Sequence, residues 1–269
     1  LKKIKVNNKI KSWLIPFIVL TVFLLSWELA SFLGFLRPTR FPAPSKLWMS
    51  FLDLTFSGYP ADVTIDQHLI KTIERIIIGF LLSVSLSVPL GLLIGGFHVL
   101  DRLTSTIIAF CRSIATLSLL PLAIVWFGTG EQAKIFLIAY GCFWVMLSNV
   151  IEAVKQVDPV MMKAAKTMDT DGLELFLKVV LPSALPRIFA GMRISLGVGF
   201  MVIVGAEMIG TVIGLGSLIM EARTFYRTDI TMVGMLILGL MGFLLTTGLA
   251  WLERKLMPWQ QQEHNRSSV

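Results

Sequence analysis

Four formally charged side chains lie inside long apolar runs of this sequence, and any chemistry the chain performs has to begin with them: Glu28, Arg112, Arg193 and Glu207. An ionised group carried into hydrocarbon needs a counter-ion, a water-filled cavity or the headgroup layer. Glu207, close to Gly205 and Gly210, reads either as a gate or translocation-path residue or as a group in a structural salt bridge or exposed to solvent. Arg193 either snorkels to phosphate headgroups or holds an anion or carboxylate in a path, and Arg112 faces the same choice deeper in its run. Arg75, just ahead of an uncharged run, reads as an external anchor rather than a selectivity residue. Fixed guanidinium groups favour an anionic solute as long as they do not hold it too tightly for release.

Other chemistries find no footing. No paired carboxylates stand in a context that would support hydrolysis, and His68, His98 and His264 share no metal-ligand spacing. Cys111 and Cys142 both fall inside apolar runs, so they read as small buried hydrophobes rather than disulfide or metal ligands. The Gly-rich Lys-Ser/Thr loop that cradles phosphates is missing from the sequence. The expectation is a chain with no catalytic residue, metal site or cofactor of its own.

The elements that must position these charges follow from composition. The 269 residues are 55% hydrophobic and only 15% charged, against about 25% charged in soluble domains. With a mean hydropathy of +0.77, this excludes a soluble α/β enzyme. The net charge of +7 reads as cytoplasmic loops rich in Lys and Arg rather than as a nucleic-acid surface.

Six apolar runs, 13–36, 76–100, 103–127, 135–151, 188–210 and 230–252, predict an all-α, polytopic membrane protein with six transmembrane helices. The first run has a basic prefix like that of a signal peptide but no small-residue cleavage site, so it is expected to stay as a span. In the third, Pro121 should remove a helical hydrogen bond and place a kink or a helix end there. Pro89 should bend or loosen the second. Gly79, Gly91, Gly95 and Gly96, with Ser83, Ser85 and Ser87, would let another helix approach it closely. The fourth, 17 residues, is short for a crossing. Between the first two spans, residues 47–54 suit a short interfacial helix. With the amino terminus inside, the inner segments carry twice as many Lys and Arg as the outer ones, which puts both termini in the cytoplasm. The organisation expected is a cytoplasmic segment 1–12, a permease domain 13–252 and a cytoplasmic tail 253–269.

Residues 152–187 are too long and polar for a mere connector. Asp158-Pro159 forms a helix-start signal, a capping carboxylate followed by a proline suited to the first turn. Ala164 and Ala165 leave the following helix slim enough for another protein to approach, although amphipathic loops also pack against their own bundle. Thr170 or Asp171 would cap a second short helix, and Pro182 and Pro186 are expected to break the path before the fifth span as a rigid elbow.

This stretch resembles the cytoplasmic motif of permease subunits of bacterial ATP-binding-cassette importers: Glu-Ala-Ala, three residues, Gly, nine residues, Ile, one residue, Leu-Pro. Here it falls on Lys163-Ala164-Ala165, Asp169, Val179 and Leu181-Pro182, with the spacing intact but Lys163 in place of the acidic residue and Asp169 in place of the glycine. Gly172 matches a further glycine of the sulfonate-like branch. Phe41-Pro42-Ala43-Pro44, the run from Pro121 to Gly128 with Glu131 and Lys134, Ala206-Glu207, and Gly214-Leu215-Gly216 with Arg223 and Asp229 are similar to permeases for aliphatic sulfonates, taurine and nitrate or bicarbonate.

The resemblance implies a subunit that works as a pair in a bacterial inner membrane, among membrane lipids, and binds no nucleic acid. Its partners would be a second permease copy, two cytoplasmic ATPases that hold ATP and Mg, and a periplasmic or lipid-anchored substrate-binding protein. Val160, Lys163, Ala164, Ala165, Met168, Asp169 and Gly172 would form a cytoplasmic coupling helix seated in the ATPase, with Leu181 and Pro182 carrying its motion to the spans. Arg112, Arg193 and Glu207 are the path candidates. The implied cargo is a small oxyanion, an aliphatic sulfonate or taurine ahead of nitrate or bicarbonate. Rival classes are an ATP-independent secondary transporter, which would show ion-coupling groups and inverted repeats, a membrane enzyme, and a scaffold or receptor.

Overall fold

A chain crossing hydrocarbon can satisfy its peptide groups only within helices or a closed barrel, and here the solution is helical throughout. The computed structural model describes residues 4–170 and 172–257, with side chains from Ile15 onward except at 16, 17, 166 and 173. Asp171, one of the two proposed caps, and the terminal segments 1–3 and 258–269 lie outside the described residues. In chain order the α-helices among the described residues are α1 (Ile4–Phe32), α2 (Pro44–Phe56), α3 (Ile65–Gly96), α4 (His98–Ser113), α5 (Leu120–Phe127), α6 (Glu131–Lys155), α7 (Pro159–Thr167), α8 (Gly172–Leu175), α9 (Leu181–Glu207), α10 (Leu215–Thr224) and α11 (Thr228–Leu256). A 3-10 turn, Thr116–Leu119, precedes α5, and a π turn, Phe176–Val180, leads into α9.

Four helical stretches are long and apolar enough to cross a membrane: α3, α6, Phe176–Glu207 and α11. A fifth exists if His98–Ser113 and Thr116–Phe127, bent by 80°, count as one span; the apolar part of α1, Ile18–Phe32, is shorter. The chain is thus an all-α, multi-span membrane protein with four or five such stretches among the described residues, where six were expected.

Three boundaries differ from the sequence expectation. The third run bends before Pro121, not at it. α4 ends at Ser113, and Pro121 sits in the first turn of α5, where a missing N–H costs nothing because that group has no helical partner anyway. Pro182 and Pro186 make no break. Pro182 likewise occupies the first turn of α9 and Pro186 lies inside it, the helix continuing through both. The fourth span is a full 25 residues, because polar residues at both ends of its apolar run remain helical. α3 also continues through Pro89.

The described chain divides into two compact units, one running to His68 and including Leu218–Ile237, the other comprising Leu69–Ser217 and continuing from Leu238. In the first unit, Glu28 of α1 accepts hydrogen bonds from Ser45 N–H (3.1 Å) and Ser45 Oγ (2.7 Å). This carboxylate, isolated in the sequence, therefore caps the open amide end of α2, where an anion is favoured. α2 buries Leu47, Ser50 and Leu54 along one face. Ser50 Oγ donates to Asp229 Oδ2 (2.8 Å), and Thr228 Oγ1 donates to Thr39 O (2.7 Å).

The second unit is held by close helix approach. A Cβ placed on Gly79 or Gly91 of α3 would stand 2.7 Å from Ile138 or Val150 of α6, and one on Gly95 would stand 2.9 Å from Val154. The small residues of α3 therefore serve packing against α6, as small-residue stripes do where lipid offers no hydrophobic drive for association. α6 and α9 meet in the same manner, Gly191 against Asn149 and Gly199 against the Cys142 Sγ. Met146, Val150, Ala153, Val154, Val180, Ala184 and Ile188 make a continuous buried cluster that joins α6, the π turn and α9.

Candidate functional site

Two parts of the second unit, one at each end of α9, hold most of the candidate residues. At the first, Asp158 Oδ1 accepts the Val160 N–H at 2.8 Å and α7 starts at Pro159, so the start signal read in the sequence operates. The helix faces two ways. Ala165 is 9% exposed, while Val160, Met161 and Met168 are 69%, 50% and 80% exposed, with Ala164 and Lys163 also outward. Val160 and Ala164, four residues apart, lie along one side of α7, and exposed Met168 follows in the turn just beyond it. That is an apolar stripe facing away from the chain's own core. Of the two alanines, only Ala164 is available to another protein.

Asp169 stands where the importer motif has glycine, yet its φ is +59° and that of Gly172 is +62°. The left-handed turn that glycine would supply is therefore kept, by a residue type that tolerates it better than most. Glu174 and Lys178 pair across the junction of α8 and the π turn. Arg187 Nη1 donates to Gln156 O at 2.7 Å, tying α9 to the end of α6. A cleft of about 840 Å³ opens between the end of α3 and this region, lined by Leu93, Gly96, Val157, Met162 and Phe176 among others. Leu181 and Pro182, half-buried, begin α9, so the segment passes into the span as one continuous helix from Phe176 to Glu207.

The far end of α9 carries Glu207, with no exposed surface. Its carboxylate accepts the Thr72 hydroxyl (2.9 Å), the Gly216 N–H (2.9 Å) and the Arg75 guanidinium. Arg75, whose side chain is 3% exposed, also forks onto Glu131 and donates to Ile213 O at 2.8 Å. Lys134 stands 3.7 Å from Glu131. Two cations thus face two carboxylates, and the Thr72 oxygen also accepts the Leu215 N–H at 2.9 Å. Arg75 and Glu207, the two most deeply buried, meet the condition for charge in a low-dielectric interior, each having several partners for its donors or lone pairs. The turn Gly214-Leu215-Gly216 can lie on the carboxylate only because its two glycines carry no Cβ. One on Gly214 would be 2.6 Å from Glu207 Cδ, and one on Gly216 would be 2.8 Å from Val204 O.

Glu207 is thus held in a buried ion pair with Arg75. Arg193 Nη1 lies 3.1 Å from Glu253 Oε2 on α11. Arg112 is exposed in the last turn of α4, with no ion pair among the described residues. The three path candidates are not brought together. Sequence reasoning missed the pairing of Arg75 with Glu207, taking Arg75 as an external anchor. The available signal was Thr72 and Arg75 three residues apart, hence on one helix face, ahead of an uncharged span.

In the first unit, Arg227 Nη2 lies 3.0 Å from Asp229 Oδ2, and this hydrogen-bonded carboxylate holds the guanidinium above its ordinary pKa. Burial, then the charge of Glu221, pushes the Tyr59 phenol up. No group of three or more His, Cys, Asp or Glu able to hold a metal ion occurs among the described residues. Cys142 is buried and its Sγ lies 3.3 Å from Ser195 O, as a packing residue would be.

Residues 87–261 match the family described as the inner membrane component of binding-protein-dependent transport systems. The chain is 33% identical over 240 residues to the taurine transport system permease protein TauC of Escherichia coli, covering 89% of this chain and 87% of that one. It is 34% identical over 261 residues to SsuC of Escherichia coli, a permease assigned to aliphatic sulfonates, covering 97% and 96%. Among solved structures it resembles an inward-facing MetNI methionine ABC transporter, with a TM-score of 0.61 and 21% identity over 71% of this chain and 95% of that one.

Proposed function

Since the chain belongs to the family of inner membrane components of binding-protein-dependent transport systems, we propose that it is the permease subunit of an ATP-driven importer for a small oxyanion, an aliphatic sulfonate or taurine. Nitrate and bicarbonate are the alternative cargo. It works as a pair in a bacterial inner membrane with six spans and both termini cytoplasmic, fed by an external binding protein. ATP and Mg are held by two ATPase subunits, and this chain hydrolyses nothing.

The observation that carries the reading is the outward apolar stripe of α7. An exposed apolar stripe on a helix that is seated on its own chain through Ala165 and, in part, Met162 marks a docking surface, and it coincides with the importer motif at Lys163, Ala164, Ala165 and Asp169. The coupling helix of the motif, 160–172, then covers α7 and the left-handed turn after it. ATP draws the ATPases together, α7 moves with them, and the displacement enters α9 through the π turn, Leu181 and Pro182. α9 has 27 residues and so spans about 40 Å at 1.5 Å per residue. It ends at Glu207, where Arg75 and the Gly214-Leu215-Gly216 turn fix it. A continuous helix tied at both ends transmits motion that a loose loop would dissipate. ATP shifts the balance between inward and outward states only to the extent that its binding favours one of them.

Ala164→Trp puts a bulky ring in the middle of that stripe without touching the core. The permease is expected to reach the membrane in normal amount while co-purifying ATPase falls about tenfold, the effect of roughly 1.4 kcal/mol at the interface. Wild-type ATPase retention and substrate-stimulated ATP turnover would remove α7 as the seat. Ala165→Trp, by contrast, is expected to lower the amount of folded permease, because that position is buried.

A further inference from the structure

A second polar feature, running from the end of α10 into the first turn of α11, has no part in the coupling path. It is a hollow of about 520 Å³, open to the surface and lined by Met220, Arg223, Thr224, Tyr226, Thr228 and Thr231. Its polar groups divide by what they still have to offer. Thr224 Oγ1 donates to Met220 O (2.9 Å), Thr228 Oγ1 to Thr39 O (2.7 Å) and Thr231 Oγ1 to Arg227 O (3.1 Å). A hydroxyl has one proton and two lone pairs, so all three protons are committed and only acceptor capacity is left.

Arg223 is the reverse. Its guanidinium is exposed and has no ion pair among the described residues, so it presents donors alone. Arg227, one turn further on, is already neutralised by Asp229. Glu221, the carboxylate of the same helix, acts on the Tyr59 phenol and does not line the pocket. Tyr226 is 91% exposed and holds a φ of +57°, an uncommon state for an aromatic residue and one found where function requires it. Its N–H closes the turn onto Arg223 O at 3.1 Å.

We propose that this pocket is a transit site for a zwitterionic amino-sulfonate, the sulfonate taken by the Arg223 guanidinium and the ammonium by the threonine lone pairs and the face of Tyr226. A guanidinium matches the oxygens of a sulfonate through parallel N–H donors. An ammonium has three donors and is attracted to an aromatic face. A plain alkanesulfonate, nitrate or bicarbonate satisfies only the Arg223 half. The inference rests on the oxyanion-importer reading and narrows its cargo.

The test is uptake of taurine, ethanesulfonate and nitrate by the complete importer with its binding protein in proteoliposomes. Arg223→Gln is expected to slow taurine uptake at least tenfold, with partial recovery in Arg223→Lys, as for a lost hydrogen bond to a charged group. Tyr226→Asn, which suits the left-handed backbone, is expected to slow taurine two- to fivefold and leave ethanesulfonate unchanged. Wild-type taurine uptake in Arg223→Gln and Tyr226→Asn, or equal loss of taurine and ethanesulfonate in Tyr226→Asn, overturns the pocket. Wild-type uptake of ethanesulfonate or nitrate without taurine overturns it too and leaves the importer reading standing. Uptake of none of the three overturns both.

Discussion

Glu207→Gln is expected to destabilise the detergent-purified protein by about 3–5 kcal/mol, the range for breaking a buried ion pair from one side. For a chain of this size that corresponds to a fall of roughly 10 °C in melting midpoint. The reason is what the substitution leaves behind. Arg75 stays 3% exposed with one of its two carboxylates gone, and the amide in place of Oε1 or Oε2 presents N–H groups toward the Thr72 hydroxyl or the Gly216 N–H. Glu131→Gln gives the calibration, since Glu131 is 54% exposed and water can take its place; the expected loss is about 1 kcal/mol. Arg75→Met combined with Glu207→Leu is expected to recover most of the loss, because it removes the buried guanidinium left half-compensated, while Glu131, 54% exposed, is taken up by water. A Glu207→Gln midpoint within about 1 °C of wild type would mean that the carboxylate is not the tie described.

Gly216→Ala should damage the same knot by shape alone. The new Cβ would meet Val204 O at 2.8 Å and Glu207 Cβ at 2.7 Å, and neither is the free end of a flexible side chain. Forcing an extra carbon into such a contact costs typically 1–3 kcal/mol, here accompanied by loss of the Gly216 N–H bond to the carboxylate. Gly239→Ala, in a helix with nothing within 4 Å of the new atom, is expected to be neutral or stabilising by up to about 1 kcal/mol. Thermal melting of the two variants side by side checks the difference, and equal midpoints would contradict the close seating of the turn.

How far the sequence could be read depended on the range of the interaction concerned. Hydropathy found the long spans because transfer to lipid acts residue by residue, and Asp158-Pro159 marked the start of α7 because a cap needs only its next few residues. Proline misled for a related reason. Pro121 and Pro182 are breakers in a helix interior but welcome in its first turn, and which they occupy is set by where the helix begins, at Leu120 and Leu181. The pairings that matter most were not legible. Arg75 and Glu207 are 132 residues apart, and no local pattern says which buried charge will meet which. Glu28, isolated in its run, found its partner in the open amide end of α2 instead of another charge. Asp169 shows the opposite case: a departure from the family glycine that the backbone absorbs without changing its turn.

The central claim is that force enters the membrane helices through α7. Cysteines placed singly at Val160 and Met168, on the exposed stripe, test it by disulfide or short-linker cross-linking in the assembled importer. The account predicts cross-links from both positions to the ATPase, with yields that change between nucleotide-free and ATP-bound states, and none from a cysteine at Phe41. Absence of any link from α7 to the ATPase, or labelling of those cysteines by a membrane-impermeant reagent added outside intact cells, would contradict it.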